Sequence, residues 1–575
     1  MPSPADPTFE VTGGSDPGIA PCIVARRRYR LLAVLLGALT STASAGGWST
    51  YAGGPDRLFF NPHPGAVTRR NVANLQVKWR FHVGGPVTAS PSLVTLDVPG
   101  EGRTQLAFVP SWDHNLYALR TRDGSELWHF AMTDQPGSVY PNAASVDVRR
   151  IDGAERVFVA GGETVYAVDA LRGREVWHFD AGTGCGVPPG DGGFGGSAPE
   201  TNEVESSPIV AGDAVVFGMD INENGIDGKG GFYGIDVHDG HLLWYFDVET
   251  GATCHTLSGD DVRRFDGYHS ESDLGLPTGF LASRPGCGFD RRGDGCGGVW
   301  SSASVDARRG LLFFASSACG GSENALPYEE AIVALHFDGS PAWHWKPRPV
   351  DPDDLDFGAT PNLFSIRVGH HRQDVVGVGG KDGTYYVLDR TGVNGVTGIR
   401  WDSPDPSGLP YWRKNVVPGG SAGGIIGTAA VDQAARRIYF STAPGSGDDL
   451  FNPQRPTVHA LDADTGAIVW QNTTEPNADA SFAPTSVIPG VVFAGKDVGG
   501  ALRAYDAATG AELASFPVGA TLASAPAILH GLVIVGAGSG SRGPDPTDPA
   551  EIEATLPVDI TAFCVAGTRG CENVQ

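Results

Sequence analysis

The chain has 575 residues and a formal net charge of −25, with 81 Gly and 42 Pro against only 3 Met. Such a composition belongs to short strands and tight turns rather than to helices, and length alone sets no domain count, because repeat architectures hold long chains in one unit. No run of Lys or Arg in the body of the chain could track a phosphate backbone, so no nucleic-acid partner is expected.

Residues 1–25 read as a disordered or mis-started extension. Arg26-Arg27-Arg28-Tyr29-Arg30 then precedes the apolar stretch 31–39, and Ala43-Ser44-Ala45 offers an A-x-A cleavage site. That order is a secretory signal peptide, with a mature chain beginning near Gly46. No later segment approaches the ~20 apolar residues of a transmembrane helix. A periplasmic or secreted protein with no membrane span is therefore expected.

One phrase recurs along residues 46–575: a small residue, five residues, Gly, three residues, Trp. It appears as Ala118…Gly124…Trp128, Ala167…Gly173…Trp177, Gly234…Gly240…Trp244 and Ala460…Gly466…Trp470. Three altered copies are Ala334…Gly339…Trp343, one residue short, Val387…Gly392…Trp401, with an insertion, and Ala504…Gly510, which ends at Ala514. Each follows an alternating strand and carries an Asp-Gly or Thr-Gly turn, the chemistry of hairpins. The Trp then packs against its neighbour's backbone, which requires radially stacked sheets. An eighth unit combines late strands around 524–527, 532–535 and 559–563 with the Trp-bearing segment Val77-Lys78-Trp79-Arg80-Phe81. The expected fold is all-β: an eight-bladed β-propeller of tryptophan-docking repeats, closed by an N-terminal strand in the last blade, which leaves no free sheet edge. An insertion at about 250–298 is expected to cap one face.

Seven cysteines follow the leader, and the close pairs Cys287/Cys296 and Cys564/Cys571 are candidate loop staples in an oxidising compartment. No C-x-x-C-H occurs, so this chain attaches no c-type haem. The stretch Asp220-Ile221-Asn222-Glu223-Asn224-Gly225 reads as a D-x-N-x-N-G calcium loop with ligands Asp220, Asn222 and Asn224, although position twelve is Gly231 rather than Glu.

The repeat resembles the tryptophan-docking motif of the pyrroloquinoline quinone (PQQ) dehydrogenase superfamily. Val299-Trp300-Ser301-Ser302-Ala303-Ser304, Asp354-Leu355-Asp356-Phe357-Gly358-Ala359 and Gly380-Lys381-Asp382-Gly383-Thr384-Tyr385 are most similar to its polyvinyl-alcohol-dehydrogenase-like branch. The resemblance implies PQQ-dependent oxidation of a secondary or polymeric alcohol, with electrons passed to an external acceptor such as a separate cytochrome c. Such chemistry needs a flat apolar surface, a cation and a proton acceptor. By resemblance, Trp300 floors the quinone, Lys381 meets its reactive oxygen, and Asp356 is the catalytic base and a calcium ligand. Glu223 aligns with the family's calcium glutamate, an assignment that competes with the self-contained loop, which would turn Glu223 away. Ser206, with Ser207 and the Gly-rich residues 419–424, is placed to hold quinone carboxylates. The family's asparagine ligand is replaced by Ala318, which offers no side-chain oxygen. That departure keeps open an alternative: a non-catalytic propeller that binds a protein or an envelope or carbohydrate polymer.

Overall fold

The computed structural model describes residues 47–132, 142–181, 202–221, 230–248, 251–255, 298–317, 328–348, 353–392, 410–443, 456–472, 481–496, 500–538, 558–568 and 570–571. All of them belong to one compact unit, residues 44–575. The expected signal peptide, Asn222, Glu223, Asn224, Ala318, Cys287 and Cys296, and nearly all of the insertion 250–298, lie outside the described residues.

The described residues form eight antiparallel sheets, and their only helical segments are two three-residue 3-10 turns. Blade 1 runs from Ser92–Val98 to Glu126–Ala131, and blade 2 from Asp147–Ile151 to Glu175–Asp180. Blade 3 runs from Ile209–Ala211 to Leu242–Asp247 and is extended by Asn202–Glu203 and Ala252–His255. Blades 4 to 7 open with Ser304–Asp306, Asn362–Val368, Ala430–Asp432 and Ser486–Ile488. Blade 8 contains Ala527–Leu529, Leu532–Val535 and Val558–Val565, and Leu75–Val83 pairs with the last of these to complete it. The expected closure by an N-terminal strand is thus the observed one. Cys564, opposite Gln76 within that closing pair, forms a disulfide with Cys571.

The recurring phrase works as an interlock between blades. The indoles of Trp79, Trp128, Trp177, Trp244, Trp343, Trp412 and Trp470 each lie against a glycine of the next blade, where a Cβ would come within 2.4–2.8 Å of the ring. Each of these glycines has a positive φ, so the same residue serves both the turn and the seat. Every one of these indoles also donates its N–H to a carbonyl next to the seat, as Trp128 does to Ala170 at 3.0 Å. The docking residue of blade 5 is Trp412, which pairs with Val387, and not Trp401, because the insertion is longer than the phrase suggested. Where Ala514 replaces the Trp, Phe516 of blade 7 packs on Phe563 of blade 8 instead, with ring centroids 5.7 Å apart.

Around the axis, hydroxyls link consecutive blades in a belt. The backbone N–H of Ala525 donates to Ser90 Oγ, Ser90 to Ser145, Ser145 to Ser207, Ser207 to Ser302, Ser302 to Thr360 and Thr360 to Thr428, all at 2.8–3.1 Å. These residues hold one register position ahead of each inner strand, and the series is interrupted in blade 7, where Pro484 has neither hydroxyl nor N–H.

On one side of the belt, residues 48–61 cross the axis. Trp48 bonds Leu93, the carbonyls of Ser49, Pro55, Asp56, Leu58 and Phe59 accept from Val148, Val305, Leu363, Val431 and Val487, and Asn61 Nδ2 donates to the Ile528 carbonyl. Only a segment on the axis can reach the inner strands of seven blades in so few residues. At its centre Arg57 is fully buried, donating to the carbonyls of Ala303 and Tyr51 at 2.7 Å. Burial lowers its pKa to about 10 against the pull of Asp147. Tyr51 joins this plug to the belt through its hydroxyl, 2.9 Å from Thr428 Oγ1.

Candidate active site

Along the seven inner strands that it reaches, the plug contacts residues that follow the belt position, whereas Glu205, Trp300 and Asp356 precede the belt residues Ser207, Ser302 and Thr360. At ~3.3 Å per strand residue, the plug and these side chains lie on opposite sides of the belt. The side facing away from the plug is where the charged groups converge.

Asp356 sits in the lead into blade 5 and is 2 % exposed. Lys381 follows the second strand of that blade, and its Nζ lies 2.9 Å from Asp356 Oδ1 and 3.0 Å from Asp354 Oδ1. Burial works against the Lys381 ammonium, but Asp356 and Asp354 outweigh it and raise its pKa. The two loops are also joined through backbone, Lys381 N–H donating to the Asp356 carbonyl at 2.9 Å. Asp354 adopts a φ of 53°, a left-handed conformation that Asp tolerates better than most residues, and this turn brings two carboxylates to one ammonium.

Trp300 is half-buried at the head of blade 4, and Lys381 Nζ lies over its ring, 5.2 Å from the centroid. The indole rests on Gly358: a Cβ there would fall 2.0 Å from Cη2 and 2.4 Å from Cζ3. Gly358 follows Asp356 by two residues, so one short segment supplies both the carboxylate and the seat of the ring. An indole, an ammonium and a carboxylate thus meet.

Blade 3 brings a second group of carboxylates. Asp220 pairs in register with Glu203, which is buried. Glu205 is half-buried beside them and hydrogen-bonds Asp220. Burial pushes the Glu205 carboxyl well above the usual carboxylate range, Asp220 and Glu203 push it further, and Lys381 opposes them. That Lys381 acts on Glu205 places blade 3's acids and blade 5's ammonium in one electrostatic environment. Of the expected calcium ligands, Asp220 therefore stands with this group. Ser206 is fully buried, and its Oγ has no hydrogen-bond partner among the described residues, while Ser207 serves the belt. In the Gly-rich stretch, Gly420 N–H donates to the Lys381 carbonyl at 3.1 Å, and Cβ atoms at Gly419 or Gly424 would strike the Lys381–Asp382 backbone. The glycines let this loop support Lys381.

Three residues of this cluster escape a reading of the sequence: Glu205, Gly358 and Arg348. Glu205 in Glu-Ser-Ser-Pro looks like a solvated turn, and Gly358 like one more turn glycine among 81. Arg348 Nη2 donates to the Leu355 carbonyl at 2.6 Å, and Nη1 pairs with Asp382 at 3.2 Å.

Fold and site together define a quinoprotein-type propeller, and the chain belongs to that family: residues 48–403 match the family described as PQQ "Glucose/ethanol/alcohol dehydrogenase, beta-propeller domain". Residues 454–543 also match a family described as "Outer membrane protein assembly factor BamB". Among curated proteins the chain is 25 % identical to a polyvinylalcohol dehydrogenase of a Pseudomonas species over 506 residues, covering 82 % of this chain and 67 % of the relative. A polyvinylalcohol dehydrogenase of a Sphingopyxis species is 23 % identical, covering 81 % and 60 %. The chain thus spans about two thirds or less of the length of these relatives. Among solved structures, quinohemoprotein alcohol dehydrogenase from Comamonas testosteroni superposes with a TM-score of 0.63 at 19 % identity, covering 92 % of this chain and 82 % of that one. A europium-containing methanol dehydrogenase gives the same TM-score at 18 % identity, covering 90 % and 98 %. These likenesses establish the fold.

Proposed function

We propose that the protein is a PQQ- and calcium-dependent dehydrogenase of a secondary or polymeric alcohol, exported to the periplasm or beyond, that passes electrons to a separate acceptor such as a cytochrome c. The observation that carries this reading is the meeting of Trp300, Asp356 and Lys381. No described helix is long and apolar enough to cross a membrane, and no haem-attachment motif is present in the sequence.

The residues fit the cofactors in kind. The indole of Trp300 offers a flat apolar face of the sort on which a fused-ring quinone stacks, seated on Gly358. Lys381 keeps its proton and so would offer a donor to a carbonyl oxygen of a quinone bound there. A calcium ion takes hard oxygen ligands, and Asp356, Asp220 and Glu205 supply them, joined in this reading by Glu223, Asn222 and Asn224. Ser206, with Ser207, is assigned to the quinone carboxylates. When bound, the quinone supplies a two-electron acceptor and the cation a Lewis acid beside it. Within that frame Asp356 accepts the proton of the substrate hydroxyl as the alcohol is oxidised, which is general-base catalysis. Lys381 would steady negative charge on a bound quinone, and it holds Asp356 in place through their 2.9 Å pair.

The test is equilibrium dialysis of purified protein against PQQ with Ca²⁺, followed by dye reduction with secondary alcohols and poly(vinyl alcohol). One quinone per chain and alcohol-dependent reduction, both lost in Trp300→Ala, are expected. If the wild-type protein binds no quinone, the reading falls. The alternative of a non-catalytic binding propeller, which the match of residues 454–543 favours, then takes its place.

A further inference from the structure

We propose that Arg348 is a positioning residue that braces the two loops carrying Asp356 and Lys381, fixing the distance between proton acceptor and ammonium. This rests on the reading of those residues as the reactive pair. Arg348 follows the outer strand of blade 4, Pro341–Trp345, so it reaches the site from a neighbouring blade. One arm of its guanidinium holds the Leu355 carbonyl, which belongs to the peptide group leading into Asp356. The other pairs with Asp382, the residue after Lys381.

The fork therefore touches neither reactive side chain but grips the chain next to each. Asp382 is fixed from other directions as well: its Oδ1 accepts the Thr384 N–H at 2.9 Å, and its Oδ2 accepts the Tyr386 hydroxyl. Tyr386 in turn packs on Trp345, with centroids 5.2 Å apart, and on Phe357, the residue after Asp356. The brace is thereby anchored in the interlocked wall of blades 4 and 5. A planar guanidinium spans two acceptors on different loops, which a single ammonium cannot do at the same spacing. Bracing matters because a displacement of ~1 Å of a reacting group can cost on the order of a hundredfold in rate.

The brace is tested without quinone by following reductive methylation of Lys381 by peptide mass spectrometry, with thermal unfolding and near-UV circular dichroism as checks on folding. Arg348→Met should label at Lys381 about fivefold or more faster than wild type, because a loop freed of its brace opens more often, and Arg348→Lys, which keeps the Asp382 pair but not the fork, should fall between. Asp382→Asn removes the other anchor and should reproduce the faster labelling, and it decides the matter if Arg348→Met does not fold. In quinone-loaded protein, Arg348→Met should lower kcat about tenfold or more while KM for the alcohol holds, because Arg348 does not reach the substrate. Unchanged Lys381 labelling in folded variants overturns the brace. Failure of the wild-type protein to bind quinone overturns the functional reading alone, and labelling still decides the brace.

Discussion

The six-membered ring of Trp300 closes on Gly358 so tightly that a methyl group there would lie 2.0 Å from Cη2. Backbone supplies the surface beneath the indole, and neither partner can give way without moving the loop that carries Asp356. Gly358→Ala is therefore expected to displace the ring rather than merely crowd it, at a cost of about 1–3 kcal/mol in stability, the range for overpacking. Quinone affinity should fall with it. Thermal unfolding and equilibrium dialysis against PQQ measure the two effects, and a variant with wild-type quinone affinity would remove the indole from the cofactor's floor.

Asp356 and Lys381 separate into different roles by substitution. Asp356→Asn keeps a polar partner for Lys381 at nearly the same volume but accepts no proton, so kcat should fall ~10²–10⁴-fold while quinone binding persists. Lys381→Met instead leaves Asp356 buried without its cation. Removing one partner of a buried pair typically costs about 3–5 kcal/mol, so this variant should lose stability as well as activity. Steady-state kinetics beside thermal melts distinguish the two patterns; equal loss of activity and stability in both would argue that Asp356 is only a structural partner of Lys381.

The propeller is legible in the sequence because its interlock uses a rare residue at fixed spacing: Trp128 and Gly173 announce each other's roles even without coordinates. Blade 5 shows the limit of that signal, since an insertion offers Trp401 before the true docking residue, Trp412, and only strand pairing distinguishes them. Trp300, Asp356 and Lys381 stand out by breaking or decorating the repeat. Glu205 and Arg348 do not, because their importance lies in what blades 3 and 4 bring next to blade 5, a relation between distant segments that local pattern does not encode. The belt is a middle case. A Ser or Thr recurs ahead of six inner strands, from Ser90 to Thr428, but its meaning emerges only when each hydroxyl is seen to accept from the preceding blade.

Glu205 gives a pH signature. Its folded pKa is raised, first by burial and then by Asp220 and Glu203, so the native state holds the proton more tightly than the unfolded chain. Its contribution to stability is fully present below the unfolded pKa and is lost as pH rises through the folded value. Glu205→Gln keeps a donor for Asp220 without the charge. The variant should match wild type in acid and melt at a higher temperature than wild type at neutral and alkaline pH, measured in EDTA. Adding Ca²⁺ should narrow or reverse that advantage if the carboxylate is a ligand. A pH-independent difference between the two melts would contradict the assignment.

The Ala525–Ser90 bond joins residues 435 positions apart and ties blade 8 to blade 1 beside the axis, at the seam where the two ends of the chain meet. Both groups are buried, so Ser90→Ala leaves the Ala525 N–H without its acceptor. An unsatisfied buried donor costs about 1–3 kcal/mol, more than the net worth of an ordinary hydrogen bond. Ser302→Ala removes the same kind of bond between blades 3 and 4, where the chain is continuous and Trp244 docks on Gly339 close by. Among the described residues no Trp docks at the blade 7–8 interface, where Ala514 stands opposite Ala504, and at the blade 8–1 interface the docking residue Trp79 is itself carried by the closing strand. Loss of Ser90 should therefore speed unfolding more than loss of Ser302 does at similar equilibrium cost, because opening at the seam needs no internal blade to separate. Stopped-flow unfolding in urea measures this difference, and equal unfolding rates for the two variants would show that the ring does not open there first.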